Sequence, residues 1–285
     1  MDKDLNAAPM LQTPAIVSTH AKLQLAAAVR GYITSTTAAQ FAVALAEGEF
    51  QVLLQPTVRL ADRRVIGFEA LSRWQHPIFG QIAPDVFLQP LIDSGLAAQL
   101  TAYVLEQAIL FQRVAKLKGK QGVPISVNAT GTEFQTDTLV AKTKELLLKY
   151  SLPASLIAIE MTETQKIEDA IAVACNIEAL RELGVSVYAD DFGHAYASLR
   201  FLLDFSYTGL KIDRGFTAAL IGDPNCEIIL SNIATMAEGL GMDVTIEGIE
   251  TEAQLSKLKA MGFRYGQGYL FDRPLSQDDA VLRLG

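Results

Sequence analysis

The sequence predicts an α/β fold: a modified (β/α)8 barrel of the TIM type with an antiparallel first strand. Three observations point there. Eight short β-rich runs alternate, over most of the chain, with stretches of helical spacing, the pattern of βα units around a largely parallel sheet. The length of 285 residues suits a single barrel, which commonly needs roughly 250. Acidic and amide side chains recur at the ends of the runs, where such a barrel carries its active site.

Taken in order, residues 1–35 contain no strand-like run. Pro9, Pro14 and Gly31 interrupt them, and they read as an N-terminal tail or short helical extension, with Ile16–Val29 able to form a helix. The barrel unit is assigned to residues 36–285. Thr36 and Thr37 are placed to cap a helix over Ala38–Glu47, which Gly48 ends. The β-rich runs are Phe50–Val58, Val65–Leu71, Pro124–Asn128, Leu156–Met161, Val185–Ala189, Gly209–Ile212, Asp243–Ile246 and Tyr265–Leu270. Helical spacing covers Val86–Lys118, Thr138–Tyr150, Ala170–Leu183, Cys226–Leu240 and Ala253–Met261. Only Arg59-Leu60-Ala61-Asp62-Arg63-Arg64 separates the first two runs, too short for the crossover that parallel neighbours require. The first two strands therefore form an antiparallel hairpin. Eight runs fit a closed barrel better than a doubly wound sheet.

Composition narrows the function. Half the residues are hydrophobic and 20% are charged, as in an ordinary globular enzyme. A net charge of −8 argues against a nucleic acid polymer as partner, which usually needs a basic face. An anionic small substrate stays open, because bound cations can reverse the local sign of an acidic site. Cys175 and Cys226 lie far apart without C-x-x-C spacing, and read as two small buried residues in a reducing cytoplasm. The N-terminus lacks the pattern of a secretory signal, and no stretch reaches the ~18 apolar residues of a membrane span.

The chemistry lies at the run ends. From the second run to the eighth they carry Glu69, Asn128, Glu160, Asp190 with Asp191, Lys211, Glu247 and Gln267, one polar group or pair per run. A single such residue is as well explained by a strand end meeting solvent. The set is not: five carboxylates and an asparagine converging on one mouth repel one another strongly unless cations are present. All-oxygen donors suit hard ions such as Mg²⁺ or Mn²⁺. With His20, His76 and His194 the only histidines, a histidine-rich zinc or iron site is disfavoured. A two-metal centre with a bridging aspartate suits in-line attack on a phosphodiester. Asp191-Phe192-Gly193 is similar to the kinase metal-binding triplet, but no Gly-rich phosphate loop accompanies it.

The segments Glu69-Ala70-Leu71-Ser72-Arg73-Trp74, Val127-Asn128, Glu160-Met161-Thr162-Glu163, Asp190-Asp191-Phe192-Gly193, Leu210-Lys211-Ile212-Asp213, Glu247-Gly248-Ile249-Glu250 and Gly266-Gln267-Gly268-Tyr269 together resemble the EAL-domain family. The likeness runs from about Phe41 to Leu275, with the motifs in family order. It implies hydrolysis of one linkage of cyclic di-GMP to linear 5′-pGpG, two divalent cations (Mg²⁺ or Mn²⁺) and a homodimer. Carried over, Glu69, Asn128, Glu160 and Asp190 hold one metal, and Asp190 bridges to a second shared with Asp191 and Glu247. Lys211 lies near the attacking water or the phosphate, Gln267 supports a metal-bound water, and Arg73 contacts substrate phosphate. Gln55, Asp213 and Glu250 are substrate-side candidates for which a structural hydrogen bond is an equal alternative. Glu163 tethers the loop that links the metal pair to the dimer interface.

That loop departs from the family pattern. Where the family usually reads Asp-Asp-Phe-Gly-Thr-Gly-Tyr-Ser-Ser-Leu, this chain has His194-Ala195 in place of Thr-Gly. Two other readings stay open: a non-catalytic cyclic di-GMP receptor acting through protein partners, and a barrel hydrolase acting on another phosphodiester.

Overall fold

The computed structural model describes residues 19–162, 167–193 and 199–285. The expectations on Glu163 and on the His194-Ala195 loop lie outside the described residues. In chain order the elements are α1 (Thr19–Thr34), α2 (Ala38–Ala46), β1 (Phe50–Arg59), β2 (Val65–His76), β3 (Gly80–Ile82), α3 (Pro84–Asp93), α4 (Ala97–Leu117), β4 (Ile125–Thr130) and α5 (Thr138–Tyr150). There follow β5 (Ile157–Thr162), α6 (Ala170–Glu182), β6 (Ser186–Phe192), α7 (Leu199–Asp204), β7 (Gly209–Ile212), α8 (Arg214–Ala219), α9 (Pro224–Gly239), β8 (Asp243–Ile246), α10 (Glu252–Ala260), β9 (Tyr265–Gly266) and α11 (Gln277–Arg283).

Eight strands close a ring in the order β1, β2, β4, β5, β6, β7, β8, β9 and back to β1. From β2 through β9 the ring pairs are parallel. β1 runs against both of its neighbours, with Leu53 opposite Leu71 on β2 and Val58 opposite Gly266 on β9. The short Arg59–Arg64 link dictates this inversion, since it permits only a hairpin. β3 lies outside the ring, paired antiparallel to the far end of β2.

The core fills the space between barrel and helices. β strands that are apolar on their outward face, such as β5 with Ile157, Ile159 and Met161 buried, pack against helices that carry an apolar stripe. One end is fixed by an aromatic cluster in which Trp74 meets Phe41, Phe50 and Phe87 at ring-centroid distances of 5.2, 5.4 and 6.1 Å. α2 begins with the expected cap, a capping box between Thr37 and Gln40, and α10 repeats it with Thr251 and Gln254.

Several expectations need correction. The helical spacing over Val86–Lys118 resolves into α3 and α4, because Gly95 turns the chain at φ +80° while the apolar periodicity continues across the break. The run Tyr265–Leu270 contributes only Tyr265 and Gly266 to the sheet. Past them, the Gly268 backbone passes so close to Ile249 that no side chain fits between, and Leu270 N–H donates to the Ile249 carbonyl at 3.0 Å. The N-terminal helical extension is present, but its helix runs past Val29 and through Gly31 to Thr34, with Ile33 fully buried. Cys226 is buried as expected, but Cys175 on α6 is exposed, on the face turned from the core.

Candidate functional site

The alternation of each strand sends every second side chain to the barrel axis. At the upper level these are Glu69 on β2, Asn128 on β4, Glu160 on β5, Asp190 on β6 and Lys211 on β7, joined by Glu247 and Gln267 just past β8 and β9. The other six gather around the Lys211 ammonium. Lys211 Nζ lies 2.6 Å from Glu247, 2.9 Å from Glu69, 2.9 Å from Glu160 and 3.5 Å from Asp190. Gln267 Nε2 donates to Glu69 at 2.7 Å and to Glu247 at 3.1 Å, and Asn128 Nδ2 donates to Glu69 at 2.9 Å. Thr57 Oγ1 on β1 donates to Gln267 Oε1 at 3.3 Å, which fixes that amide's orientation.

Asp191 joins through a break in the alternation. The β6–β7 register shifts between Ala189 and Phe192, and Asp191 adopts φ +50°. This bulge turns a second carboxylate to the same mouth, as bulges beside active sites do. Asp190, Asp191 and Glu247 then each offer an oxygen within 4.8 Å of one another, a group that could hold a metal ion. Glu247 is held at its backbone, where the amide donates to the Ile212 carbonyl at 3.1 Å and the carbonyl accepts from Thr217 at 2.5 Å.

The electrostatics of the cluster favour a cation. Among the described residues, three buried carboxylates and the part-buried Glu247 face one buried ammonium. Burial, with neighbouring carboxylates adding to it, pushes Glu247 up to about 8 and Asp190 up to about 6, and Glu160 rises well above its ordinary value for the same reasons. Burial also opposes ionisation of Glu69, but Lys211 and the Gln267 and Asn128 amides together carry it below the ordinary value. Burial works against charge on Lys211, and the surrounding carboxylates overcome it, holding the ammonium well above the usual range. Asn128 Oδ1 is buried without a hydrogen-bond donor. Oxygen donors, excess negative charge and an orphaned buried acceptor together fit a hard divalent cation.

Above the cluster lies a cleft of about 640 Å³ whose walls include Gln55, Asp213, Glu250 and Tyr269. A second cavity of about 250 Å³ adjoins it beside Asn128 and Asp190, walled by apolar residues of α3 and α4.

A family model described as the EAL domain matches residues 38–274. The chain belongs to the EAL domain family. It is 36% identical over 227 residues to the bifunctional diguanylate cyclase/cyclic di-GMP phosphodiesterase MucR of Pseudomonas aeruginosa, covering 80% of this chain and 33% of MucR. The solved MucR phosphodiesterase in complex with cyclic di-GMP superposes with a TM-score of 0.77 at 35% identity, covering 83% of this chain and 96% of that one. The EAL enzyme Bd1971, bound to cAMP and cyclic di-GMP, superposes with a TM-score of 0.80 at 28% identity over 93% of this chain and 70% of that one. The chain spans about a third of the length of several curated relatives it matches.

Within this EAL domain the strand-end residues named from sequence share one site, and Gln55, Asp213 and Glu250 line the cleft above it. Asp213 also caps α8 by accepting from the Gly215 amide at 2.8 Å. Arg73 stands two steps beyond Leu71 on the same face of β2, partly exposed, with Nη1 donating to the Ser72 carbonyl at 2.7 Å. Two residues that strand-end reading missed also line the cleft of this EAL domain, Arg214 and Tyr269. Arg214 follows Asp213 into α8, and Gly248, at φ +70°, lets the backbone after Glu247 lie against it. Tyr269 is packed by Arg273, whose guanidinium lies 4.3 Å from the ring centroid. Arg214 follows Lys211 by three positions and Tyr269 follows Gln267 by two, a signal that reading each loop past its strand could have caught.

Proposed function

We propose that this EAL domain hydrolyses cyclic di-GMP to linear 5′-pGpG with the help of two divalent cations, Mg²⁺ or Mn²⁺. The observation that carries this reading is the buried cluster of oxygen donors around Lys211 beneath a cleft of nucleotide size. The relationship to MucR, whose phosphodiesterase was solved with cyclic di-GMP, supports the substrate. Glu69, Asn128, Glu160 and Asp190 would hold one ion, and Asp190, Asp191 and Glu247 the other. When bound, such ions supply Lewis acidity at phosphate oxygen and lower the pKa of a bound water.

The chain's own residues set the rest. Arg73 binds substrate phosphate, for which a guanidinium fork is suited. Its present bond to the Ser72 carbonyl is one that substrate would replace. Gln267, oriented by Thr57, holds Glu69 and Glu247 in register. Lys211 acts through the carboxylates it binds, offsetting their mutual repulsion. Gln55, Asp213 and Glu250 face the nucleotide, and Glu163 tethers the neighbouring loop. The reading includes a homodimer and a cytoplasmic site of action; among the described residues, no helix is long and apolar enough to cross a membrane.

The test is to incubate purified protein with cyclic di-GMP and Mn²⁺ and separate the nucleotides. The expected product is 5′-pGpG, formed only with metal. Tight binding without product would favour the receptor reading, and equal activity in chelator would overturn the metal chemistry.

A further inference from the structure

The barrel interior has a second tier that the site above does not use. Two residues before Asn128, Glu160 and Glu247, on the same strand faces, stand Ser126, Ala158 and Thr245, and two before Glu69 and Lys211 stand Gly67 and Gly209. A barrel normally fills this level with bulky branched side chains. Here Tyr188 and Tyr265, two before Asp190 and Gln267, complete the tier; the Tyr188 ring lies over Gly209, and Gly67, Ser126, Ala158 and Thr245 leave a chamber of about 190 Å³ beside the two rings. Its lining includes the hydroxyl residues Thr57, Ser126 and Thr245, and also Lys211 and Glu160, each 3% exposed. It reaches solvent at the end away from the cleft, where the Asp243 side chain on its rim is 43% exposed.

The cluster divides between the two spaces. Glu69, Asp190, Glu247 and Gln267 line the upper cleft, whereas Lys211 and Glu160 line the chamber beneath. Lys211 and Glu160 thus border a space whose walls mix hydroxyls with apolar groups such as Ile66, Phe68 and Pro124. Apolar cavities stay dry, but a polar one with room to spare takes up water, and one water needs roughly 30 Å³ of liquid volume.

We propose that this chamber is a built water site: a column of ordered waters that joins the Lys211–Glu160 pair to the Thr57, Ser126 and Thr245 hydroxyls and positions the pair from the face opposite the cleft. Water reaches the underside of the cluster by this route even when nucleotide covers the top. The waters share the Glu160 carboxylate with Lys211, which lies 2.9 Å from it, and so set its position as a metal ligand. The proposal rests on the metal-site part of the reading above, and its test needs no nucleotide turnover.

A crystal structure at high resolution should show several waters in the chamber hydrogen-bonded to Lys211 or Glu160; a dry chamber overturns the proposal. Two variants then probe its role through Mn²⁺ affinity measured by calorimetry. Ala158→Leu fills the space, and the double variant Ser126→Ala with Thr245→Val keeps the volume but removes two hydroxyls. Both should lose ordered waters and bind Mn²⁺ about tenfold more weakly. Strain from overpacking would weaken Ala158→Leu alone, so parent-like affinity in the double variant overturns the proposal, and the double variant decides if Ala158→Leu does not fold. Because neither measurement uses cyclic di-GMP, a protein that fails to hydrolyse it leaves both intact. A parent that binds no Mn²⁺ refutes the metal reading, while the diffraction result still decides whether the water site exists.

Discussion

Replacing Lys211 by methionine keeps the length of the side chain and removes the one cation from the centre of the cluster. Lys211 is 3% exposed and its ammonium lies within 2.6–3.5 Å of four carboxylates. Truncating one partner of a buried ion pair generally costs about 3–5 kcal/mol, because the remaining charge is stranded. Proton uptake limits the loss. Protonating a carboxylate of ordinary pKa near 4.5 at pH 7 costs about 2.5 × 1.36, or roughly 3.4 kcal/mol, and that relieves the repulsion. The two figures agree on a loss of about 3–4 kcal/mol in metal-free protein, which for a chain of this size lowers Tm by roughly 6–15 °C. Divalent cations replace the missing positive charge, so the deficit should shrink when Mn²⁺ is present. Calorimetric unfolding of parent and Lys211→Met in chelator and in Mn²⁺ measures both effects. A variant as stable as its parent in chelator would refute the view that Lys211 balances these carboxylates.

Three further outcomes follow from the geometry. Glu247 and Asp190 are raised to about 8 and about 6, above their unfolded values, so the folded metal-free protein binds extra protons at these two groups; the stability they contribute is full below about pH 4 and is lost as pH rises through 6 and 8. Denaturant midpoints in chelator should therefore drop between pH 5 and pH 9, with Mn²⁺ flattening the slope, and a rising midpoint would contradict the burial argued for these groups. Arg73→Ala should weaken cyclic di-GMP binding at least tenfold in Ca²⁺, whose loose coordination suits binding without turnover, while calorimetric Mn²⁺ affinity stays within about twofold of the parent; a loss of metal affinity matching that of Glu69→Ala would show Arg73 to be misplaced. Gly248→Ala puts a Cβ 2.5 Å from the Arg214 Cβ at a residue with φ +70°, so it should cost at least about 1 kcal/mol in chemical unfolding and weaken nucleotide binding through the displaced Arg214; unchanged stability and binding would remove Arg214 from the cleft's working surface.

The sequence by itself determined the barrel and the membership of its site. Strand and helix periods are local properties, and the short link Arg59–Arg64 settled the inverted first strand because a parallel crossover cannot be made in that length. Once strand ends converge on one mouth, Glu69, Asn128, Glu160, Asp190, Lys211, Glu247 and Gln267 must meet, whatever the details of packing. The tertiary structure decided what depends on backbone that leaves the regular pattern or on which neighbours surround a group. Asp191 reaches the mouth only through a bulge at φ +50°. The helix break at Gly95 and the early end of β9 were hidden because apolar spacing continued through both. For Lys211, which the resemblance puts near the attacking water or the phosphate, only the fold brings four carboxylates within reach of its ammonium. The lower chamber is bordered by the small residues Gly67, Ser126, Ala158 and Thr245, each two positions before a residue of the cluster, yet Tyr188 and Tyr265 stand in the same row, and only the closure of the sheet into a ring decides that a space remains between them.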